Sequence, residues 1–137
     1  FRVSYVHDVL GKHGSYVVLP SIEYGTPLSR TTYIGTQISV SYVGKGYGRQ
    51  YYDIDAAGSA ASGLAIYSDA GRKAGLTKMS FTLAAAKSLS GDLRMGWTVV
   101  LAAQYGRMLG RYARSPVVAD AGDVDQWLGG LGLAYTF

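Results

Sequence analysis

The chain has 137 residues, enough for one domain, and contains 19 Gly, 12 Tyr and no Cys. Hydrophobic residues make up 48% and charged residues only 16%, a composition that excludes a disordered chain. The lack of Cys excludes a disulfide scaffold and a thiolate metal site. The longest apolar run, at 99–103, is far shorter than the roughly 20 residues that a membrane-spanning helix needs. The net charge of +4 is a modest excess, and we expect no nucleic-acid partner.

Large and small side chains alternate along six stretches of the chain, and a period of two predicts β-strands. In the last stretch Trp127, Leu131 and Phe137 share one face, whereas Gly130 and Gly132 share the other. The longer stretches, of about ten residues, match one tilted crossing of a bilayer. The predicted strands are 1–5, 15–25, 32–43, 78–86, 93–105 and 126–137.

The links between these strands alternate in length, short at 26–30 and 88–91 but long at 44–74 and 108–124. Short turns at one end and long loops at the other are typical of outer-membrane barrels. Soluble barrels and sandwiches also alternate, but the face opposite their large residues is charged, and here it carries mainly Gly, Ala, Ser and Thr. The pattern therefore favours an all-β fold, an antiparallel transmembrane β-barrel of the outer membrane, over a soluble barrel or a sandwich.

Two runs of small residues occur in the long loop 44–74. The run 44–49 superficially suggests a phosphate loop, but it lacks the strand-to-helix context and the Lys-Ser/Thr ending, so a flexible loop is predicted. The run 56–61 could form a short helical turn, but a loop packed closely on the barrel rim is favoured.

Aromatic residues lie near the ends of the last two strands, where the membrane–water interfaces of a barrel would be. The final aromatic residue closes an alternating strand, which resembles the C-terminal signature that the barrel assembly machinery of Gram-negative bacteria reads. We therefore expect an aromatic girdle and a C-terminal assembly signal formed by Trp97, Tyr105, Trp127, Tyr135 and Phe137.

Short motifs between residues 51 and 137 carry a family resemblance. They are Tyr51-Tyr52-Asp53-Ile54, Ala61 to Tyr67, Gly96-Trp97, Gln104 to Gly110, Ser115 to Val118 and Gly130 to Phe137. Together they resemble the MipA/OmpV family, the MltA-interacting proteins of the outer membrane. Where that family usually has a glycine after its paired aromatic residues, this chain has Asp53.

The resemblance implies a protein longer than this chain. Six strands are also too few to close a membrane barrel, which needs about eight, and an open sheet would leave bare edge groups in lipid. We therefore interpret residues 1–137 as the C-terminal portion of a single barrel domain of roughly 10–12 strands. The start at Phe1 rather than Met fits a longer protein or a removed signal peptide. The missing strands would come from another segment or from a second copy in an oligomer.

The resemblance further implies a non-enzymatic scaffold in the bacterial outer membrane that links murein-synthesising and murein-hydrolysing enzymes. The expected partners are outer-membrane lipid and lipopolysaccharide, the barrel assembly machinery and periplasmic murein enzymes. The alternatives are a small passive pore and a surface-exposed adhesin or lipopolysaccharide-contacting barrel.

No arrangement of residues predicts catalysis, a metal site or a cofactor. A hydrolase built from His13, Ser15 and Asp8 can be imagined, but no sequence context fixes its geometry. A closed zinc site needs four ligands, more than the two histidines, His7 and His13, offer with Asp8. A polar hairpin tip is therefore the favoured interpretation of this region.

Eight of the 13 basic residues fall in or beside the loops that would face outward if the C-terminus is periplasmic. Lipopolysaccharide phosphates are natural partners for them, and we expect contact through Arg107, Arg111 and Arg114. A solvated loop is the alternative, because six Asp residues share that side. The eight basic residues are Lys12, Lys45, Arg49, Arg72, Lys73, Arg107, Arg111 and Arg114.

Four charged residues are expected to line the lumen, namely Arg2, Glu23, Lys78 and Arg94. Opposite charges across a narrow lumen would pair and make the barrel rigid. If the same charges stay hydrated, they would instead bias a small pore.

Overall fold

Six strands form one antiparallel sheet in a computed structural model of the chain, which describes residues 1–8 and 14–137. The strands follow the order of the sequence, and each pairs with the next. The prediction of an all-β antiparallel fold is therefore confirmed. The strands are β1 (Arg2–His7), β2 (Tyr16–Ser29), β3 (Thr32–Val43), β4 (Gly75–Ser88), β5 (Gly96–Met108) and β6 (Asp125–Thr136).

The strand ends differ in detail from the prediction. β2 continues to Ser29, so its turn to β3 is tighter than the predicted 26–30. The prediction that β5 begins at residue 93 is wrong, because the strand begins at Gly96. Gly96 has a φ of 81°, a left-handed conformation that glycine adopts without strain, and it ends the preceding turn. Arg94 therefore lies in the β4–β5 turn and not on a strand.

The sheet is open, since among the described residues β1 and β6 each pair with one neighbour only. Closure into a barrel of 10–12 strands stays a prediction. No helix in the described part of the chain is long and apolar enough to cross a membrane.

The two faces of the sheet differ in the size and exposure of their side chains, as the alternation predicts. On β4, Met79 and Phe81 are 48% and 45% exposed, whereas Ser80 between them is only 6% exposed. We call the side of Phe81 the outer face and the side of Ser80 the inner face. Large exposed residues of the outer face include Ile22, Ile38, Leu83, Leu101, Leu131 and Leu133.

Four short helices occupy the two long connections and form the loop cap, which comprises residues 44–74 and 109–124. The predictions of a flexible loop at 44–49 and of a loop at 56–61 are wrong, because helices cover both runs. The second helix is capped at both ends: the Asp55 carboxylate accepts a hydrogen bond from the Gly58 N–H at 2.7 Å, and Gly63 has a φ of 75°. The helices are α1 (Lys45–Tyr52), α2 (Ala56–Ser62), α3 (Gly110–Ala113) and α4 (Pro116–Ala119).

The buried core of the described chain lies where the loop cap meets the ends of β3 and β5. Tyr112 is fully buried there and has the largest side chain of the cluster. Burial of apolar surface therefore holds the loop cap on the sheet. The core residues are Val43, Ala70, Met108, Tyr112 and Val118.

Gly48 of α1 lies against the backbone of the loop that follows α2. A Cβ at position 48 would lie 2.3 Å from the Ala70 carbonyl oxygen. Because backbone cannot move aside as a flexible side chain can, Gly48→Ala should lower the free energy of unfolding by about 1–3 kcal/mol, despite the better helix propensity of Ala. Thermal unfolding and limited proteolysis of the loop cap would measure the change.

The matched control is Gly130→Ala in β6, because nothing lies within 4 Å of a Cβ built there. This variant should keep wild-type stability. If the two variants behaved alike, the close packing of α1 on Ala70 would be contradicted.

Candidate functional surfaces: the outer belts, the inner face and the loop cap

Aromatic side chains form two belts on the outer face, one near each end of the sheet. The turn-side belt contains Trp97, Tyr135 and Phe137, and its successive ring centroids are 5.0 and 5.1 Å apart. The loop-side belt contains Tyr105 and Trp127, whose rings are 4.8 Å apart. The structure thus brings the five predicted girdle residues together in two groups. Their contact with a membrane and their reading as an assembly signal stay predictions.

The loop-side belt continues across the first three strands. Tyr16 stacks on Tyr5 at 6.1 Å and on Tyr42 at 6.5 Å. Sequence reasoning did not assign these three residues to a girdle, because their stacking depends on the register that sets His7 opposite Tyr16 and Val18 opposite Tyr42. With them, the belt spans five of the six strands.

The separation of the belts agrees with a membrane thickness. Trp97 and Tyr105 are eight residues apart on β5, which is about 26 Å at about 3.3 Å per residue. A strand tilt of about 40° would reduce this to about 20 Å, close to the apolar band of roughly 25 Å on outer-membrane barrels. Large apolar residues such as Leu101 and Leu131 occupy the space between the belts.

Arg107 lies at the loop-side end of β5 and forms an ion pair with Asp125 of β6. Its Nη1 lies 3.0 Å from Oδ1 and 3.2 Å from Oδ2 of that carboxylate. The Tyr105 hydroxyl donates a second hydrogen bond to Oδ1 at 2.5 Å. Because both charged side chains are largely exposed, the pair fixes the register of the strand ends more than it adds stability.

Arg111 and Arg114 are also engaged within the protein. Arg111 donates from Nη2 to the Ala74 carbonyl at 3.2 Å, and its guanidinium lies 5.5 Å from the centre of the Tyr112 ring. Arg114 lies 3.6 Å from the Asp69 carboxylate. The three arginines predicted to contact lipopolysaccharide therefore have separate partners within the chain, and that contact stays a prediction.

The inner face carries a row of polar side chains across four strands. Gln37 donates from Nε2 to Glu23 at 2.6 Å, and Gln104 donates to the Thr82 hydroxyl at 3.1 Å. The strand register sets Glu23 opposite Gln37, Gln37 opposite Thr82 and Thr82 opposite Gln104. Of this row, only Glu23 was expected as a lumen residue, since amides and hydroxyls carry no charge signal in the sequence.

The remaining predicted lumen residues are spread widely. Lys78 donates to the Gln126 side-chain oxygen at 3.3 Å, and Arg2 lies opposite Ser21 in the register of β1 and β2. Arg94 lies in a turn, as described above. Glu23 and Lys78 thus bond to neutral amides and not to each other, and a role of these residues in lining a lumen stays a prediction.

Hydrogen bonds join the two long connections of the loop cap. The buried Ser115 hydroxyl donates to the Tyr52 carbonyl at 2.5 Å, and the Tyr67 hydroxyl donates to the Arg111 carbonyl, also at 2.5 Å. Asp53 accepts hydrogen bonds from the N–H groups of Ala70 and Gly71 at 2.9 and 3.0 Å. Asp53, the residue after α1, is therefore joined to the segment that precedes β4.

A cluster of tyrosines lies inside the loop cap. The Tyr52 ring meets the Tyr112 ring edge-on at 5.2 Å and lies 6.3 Å from the Tyr47 ring. Burial first, and the neighbouring Tyr47 and Tyr112 next, raise the pKa of Tyr52 to about 12. Burial also raises the pKa of Tyr112, whose hydroxyl has no hydrogen-bond partner in the described part of the chain. The cluster therefore stays uncharged at neutral pH.

The predicted polar hairpin tip is described only in part. The His7 ring nitrogen Nδ1 lies 3.3 Å from the Asp8 carbonyl oxygen, and Asp8 accepts a hydrogen bond from the Gly14 N–H at 3.0 Å. Lys12 and His13 lie outside the described residues. Within residues 1–8 and 14–137, no group of three or more His, Cys, Asp or Glu side chains could hold a metal ion.

A family model described as MltA-interacting protein MipA matches residues 1–137. The chain belongs to the MipA family. The resemblance inferred from the motifs is thereby confirmed, and it extends to the first 50 residues, for which the sequence offered fewer signals. No curated protein matches the chain, and no solved structure matches it.

The tyrosine cluster gives the loop cap a pH dependence. In the unfolded chain Tyr52 would ionise near pH 10, whereas in the folded protein its pKa is about 12. As the pH rises from 10 to 12, the unfolded state therefore loses this proton first, and the stability present below pH 10 is progressively lost. Urea unfolding between pH 9 and 12 should show a steeper fall for the wild type than for Tyr52→Phe.

Tyr51→Phe is the matched control, because Tyr51 lies on the same helix and is 47% exposed. Between pH 9 and 12 the stability of Tyr51→Phe should fall more steeply than that of Tyr52→Phe, because the buried Tyr52 is kept. Identical curves for Tyr52→Phe and the wild type would contradict the burial of Tyr52 as the cause.

Proposed function

We propose that this chain is part of an outer-membrane β-barrel that acts as a non-catalytic scaffold for murein-synthesising and murein-hydrolysing enzymes. The observation that carries the proposal is the match of the whole chain to the MltA-interacting protein family. The family's printed name states an interaction with MltA, a murein enzyme, and we extend that interaction to this chain. The small passive pore and the surface adhesin stay predictions.

The outer face supports a location in the membrane. Leu101 and Leu131 are 55% and 77% exposed between the two aromatic belts, which is unfavourable for a surface in contact with water. An apolar band bordered by aromatic belts is what lipid-facing strands present. The outer leaflet and its lipopolysaccharide would then surround the loop-side belt, with the short turns at the periplasmic side.

A pair of substitutions on β5 tests which face meets lipid. Leu101→Arg places a charge on the outer face midway between the belts and should cost about 2–4 kcal/mol of folding free energy in a bilayer. Gln104→Arg adds the same charge on the inner face, three residues away, and should be tolerated. Folding into outer-membrane lipid vesicles, followed by gel mobility and urea titration, would compare the two variants.

If the protein were soluble, Leu101→Arg would not be less stable than Gln104→Arg, because an arginine on an exposed face costs little in water. A Leu101→Arg variant that folds as stably as Gln104→Arg would therefore overturn the membrane location.

The short-turn end is the surface that we propose for docking. Arg30 and Arg94 are exposed there, and the two turns are joined by a hydrogen bond from the Leu93 N–H to the Arg30 carbonyl at 2.9 Å. The Asp92 carboxylate accepts from the Arg94 backbone N–H at 2.9 Å and so fixes the second turn. A basic, hydrogen-bonded surface of this kind suits an acidic patch on a soluble enzyme.

Co-purification tests the scaffold role and the docking surface together. Affinity-tagged full-length protein, extracted in mild detergent, should retain MltA and further murein enzymes. The double variant Arg30→Glu, Arg94→Glu should lose most of this retention, because like charges would then face each other. Arg72→Glu, a reversal of an exposed arginine in the loop cap, is the control and should retain the enzymes.

The outcomes distinguish the scaffold role from the location of the docking surface. If the wild type retains no murein enzyme, the scaffold role is wrong. If the wild type and the double variant retain equal amounts, the scaffold role stands but the short-turn end is not the docking surface.

A further inference from the structure

A pocket lies between the inner face of the sheet and helix α1, at the end of the sheet that carries the loop cap. Its volume is about 340 Å³, within the range of small-molecule sites. Strands β2 to β6 supply one wall, and two tyrosines of α1 supply the other. The residues that matter for recognition are Ser41, Tyr47, Tyr52, Lys78, Ser80 and Gln126.

Lys78 is the only charged residue among the described residues that line this pocket. Its ammonium group has three donors, and one of them is directed to the Gln126 side-chain oxygen at 3.3 Å. The intervening residue on β5 is Gly106, where an added Cβ would lie 3.2 Å from Cδ and Cε of Lys78. Because Gly106 has no side chain, the Lys78 side chain can extend across β5 to Gln126 and still line the pocket. With no carboxylate on that wall, the pocket favours an anion.

The tyrosine rings and the serine hydroxyls of the pocket favour a ligand by its shape and hydrogen-bonding groups as well as by its charge. Tyr47 and Tyr52 both line the pocket with ring centroids 6.3 Å apart, so the wall that α1 supplies is aromatic. On the strands, Ser41 is paired with Lys78, and Ser80 Oγ and Lys78 Cδ each lie 3.2 Å from a Cβ built at Gly106, so both serines offer hydroxyl groups beside the lysine. An aromatic wall opposite donors and acceptors suits a ligand with one apolar side and several hydroxyl groups.

We propose that this pocket binds a small acidic sugar, with its carboxylate at Lys78 and its ring against Tyr47 and Tyr52. The sugar hydroxyls would exchange hydrogen bonds with Ser41, Ser80 and the Gln126 amide. This proposal does not depend on the scaffold role, because every residue that it uses is on the inner face or in α1.

Calorimetric titration of the full protein in detergent micelles tests the proposal with three probes. Glucuronate carries both the ring hydroxyls and the carboxylate, glucose lacks the charge, and benzoate lacks the hydroxyls. We expect glucuronate to bind with a Kd on the order of 1 mM or tighter, and the other two to bind about tenfold more weakly.

Matched variants locate the binding. Lys78→Gln should weaken glucuronate binding about tenfold and leave glucose unchanged. Lys87→Gln is the control, because Lys87 lies at the opposite end of β4 and bonds to Thr31 and Thr32. Tyr47→Ala should weaken binding while Tyr47→Phe keeps it, since the ring and not the hydroxyl forms the wall. Circular dichroism and gel mobility would verify that each variant is folded.

Three results would overturn the proposal. The first is no heat of binding for glucuronate up to about 50 mM, well above a weak Kd. The second is benzoate binding as tightly as glucuronate, which would point to an aromatic acid. The third is an equal loss of binding in Lys78→Gln and Lys87→Gln, which would place the anion elsewhere.

Discussion

The antiparallel ladder of backbone hydrogen bonds is the constraint on which the rest of this structure depends. Five strand pairs in sequence order give every strand residue a fixed side, and among the described residues no second layer covers the outer face. Large residues such as Phe81 and Leu101 remain about half exposed, so the sheet lacks the buried interior that stabilises most soluble domains. The packing that the described residues do show comes from the ladder itself and from the buried core at the loop cap.

The ladder also explains where the only well-packed region of the described chain is found. Because the β3–β4 and β5–β6 links leave the sheet at the same end, their helices meet, and Tyr112 is buried between them. Ser115 then bonds to the Tyr52 carbonyl, which ties one link to the other. The same arrangement sets Tyr47 and Tyr52 over the inner face beside Lys78. The order of the strands thus brings together the residues of both the core and the pocket.

The alternation of large and small side chains predicted the strands because it is a local property of the chain. For example, β3 was predicted with its observed bounds, Thr32–Val43. Helix α1 was missed because it packs through distant contacts, such as Gly48 on Ala70, which outweigh the poor helix propensity of glycine. Helix α2 was considered but not favoured, although its Asp55 and Gly63 caps are local signals. The partners of Arg107 and Tyr16 likewise depend on register, which alternation alone does not specify. The sequence thus indicates which face a residue occupies, but not which residue lies beside it.

The buried cluster at the loop cap contains no described residue of the two edge strands, β1 and β6. The buried cluster draws on β3, β5 and the two links, and its partly buried neighbours come from β2 and from the cap, so none of these described residues belongs to β1 or β6. If the sheet is part of a closed barrel, further strands would pair with β1 and β6 and not with β3 and β5, which carry Val43 and Met108 of the cluster. If further strands closed the sheet, the geometry of the buried cluster should be kept, because the new pairing would form at edges that contribute no residue to it. Closure would change the inner face instead, by enclosing the polar row that runs from Glu23 to Gln104.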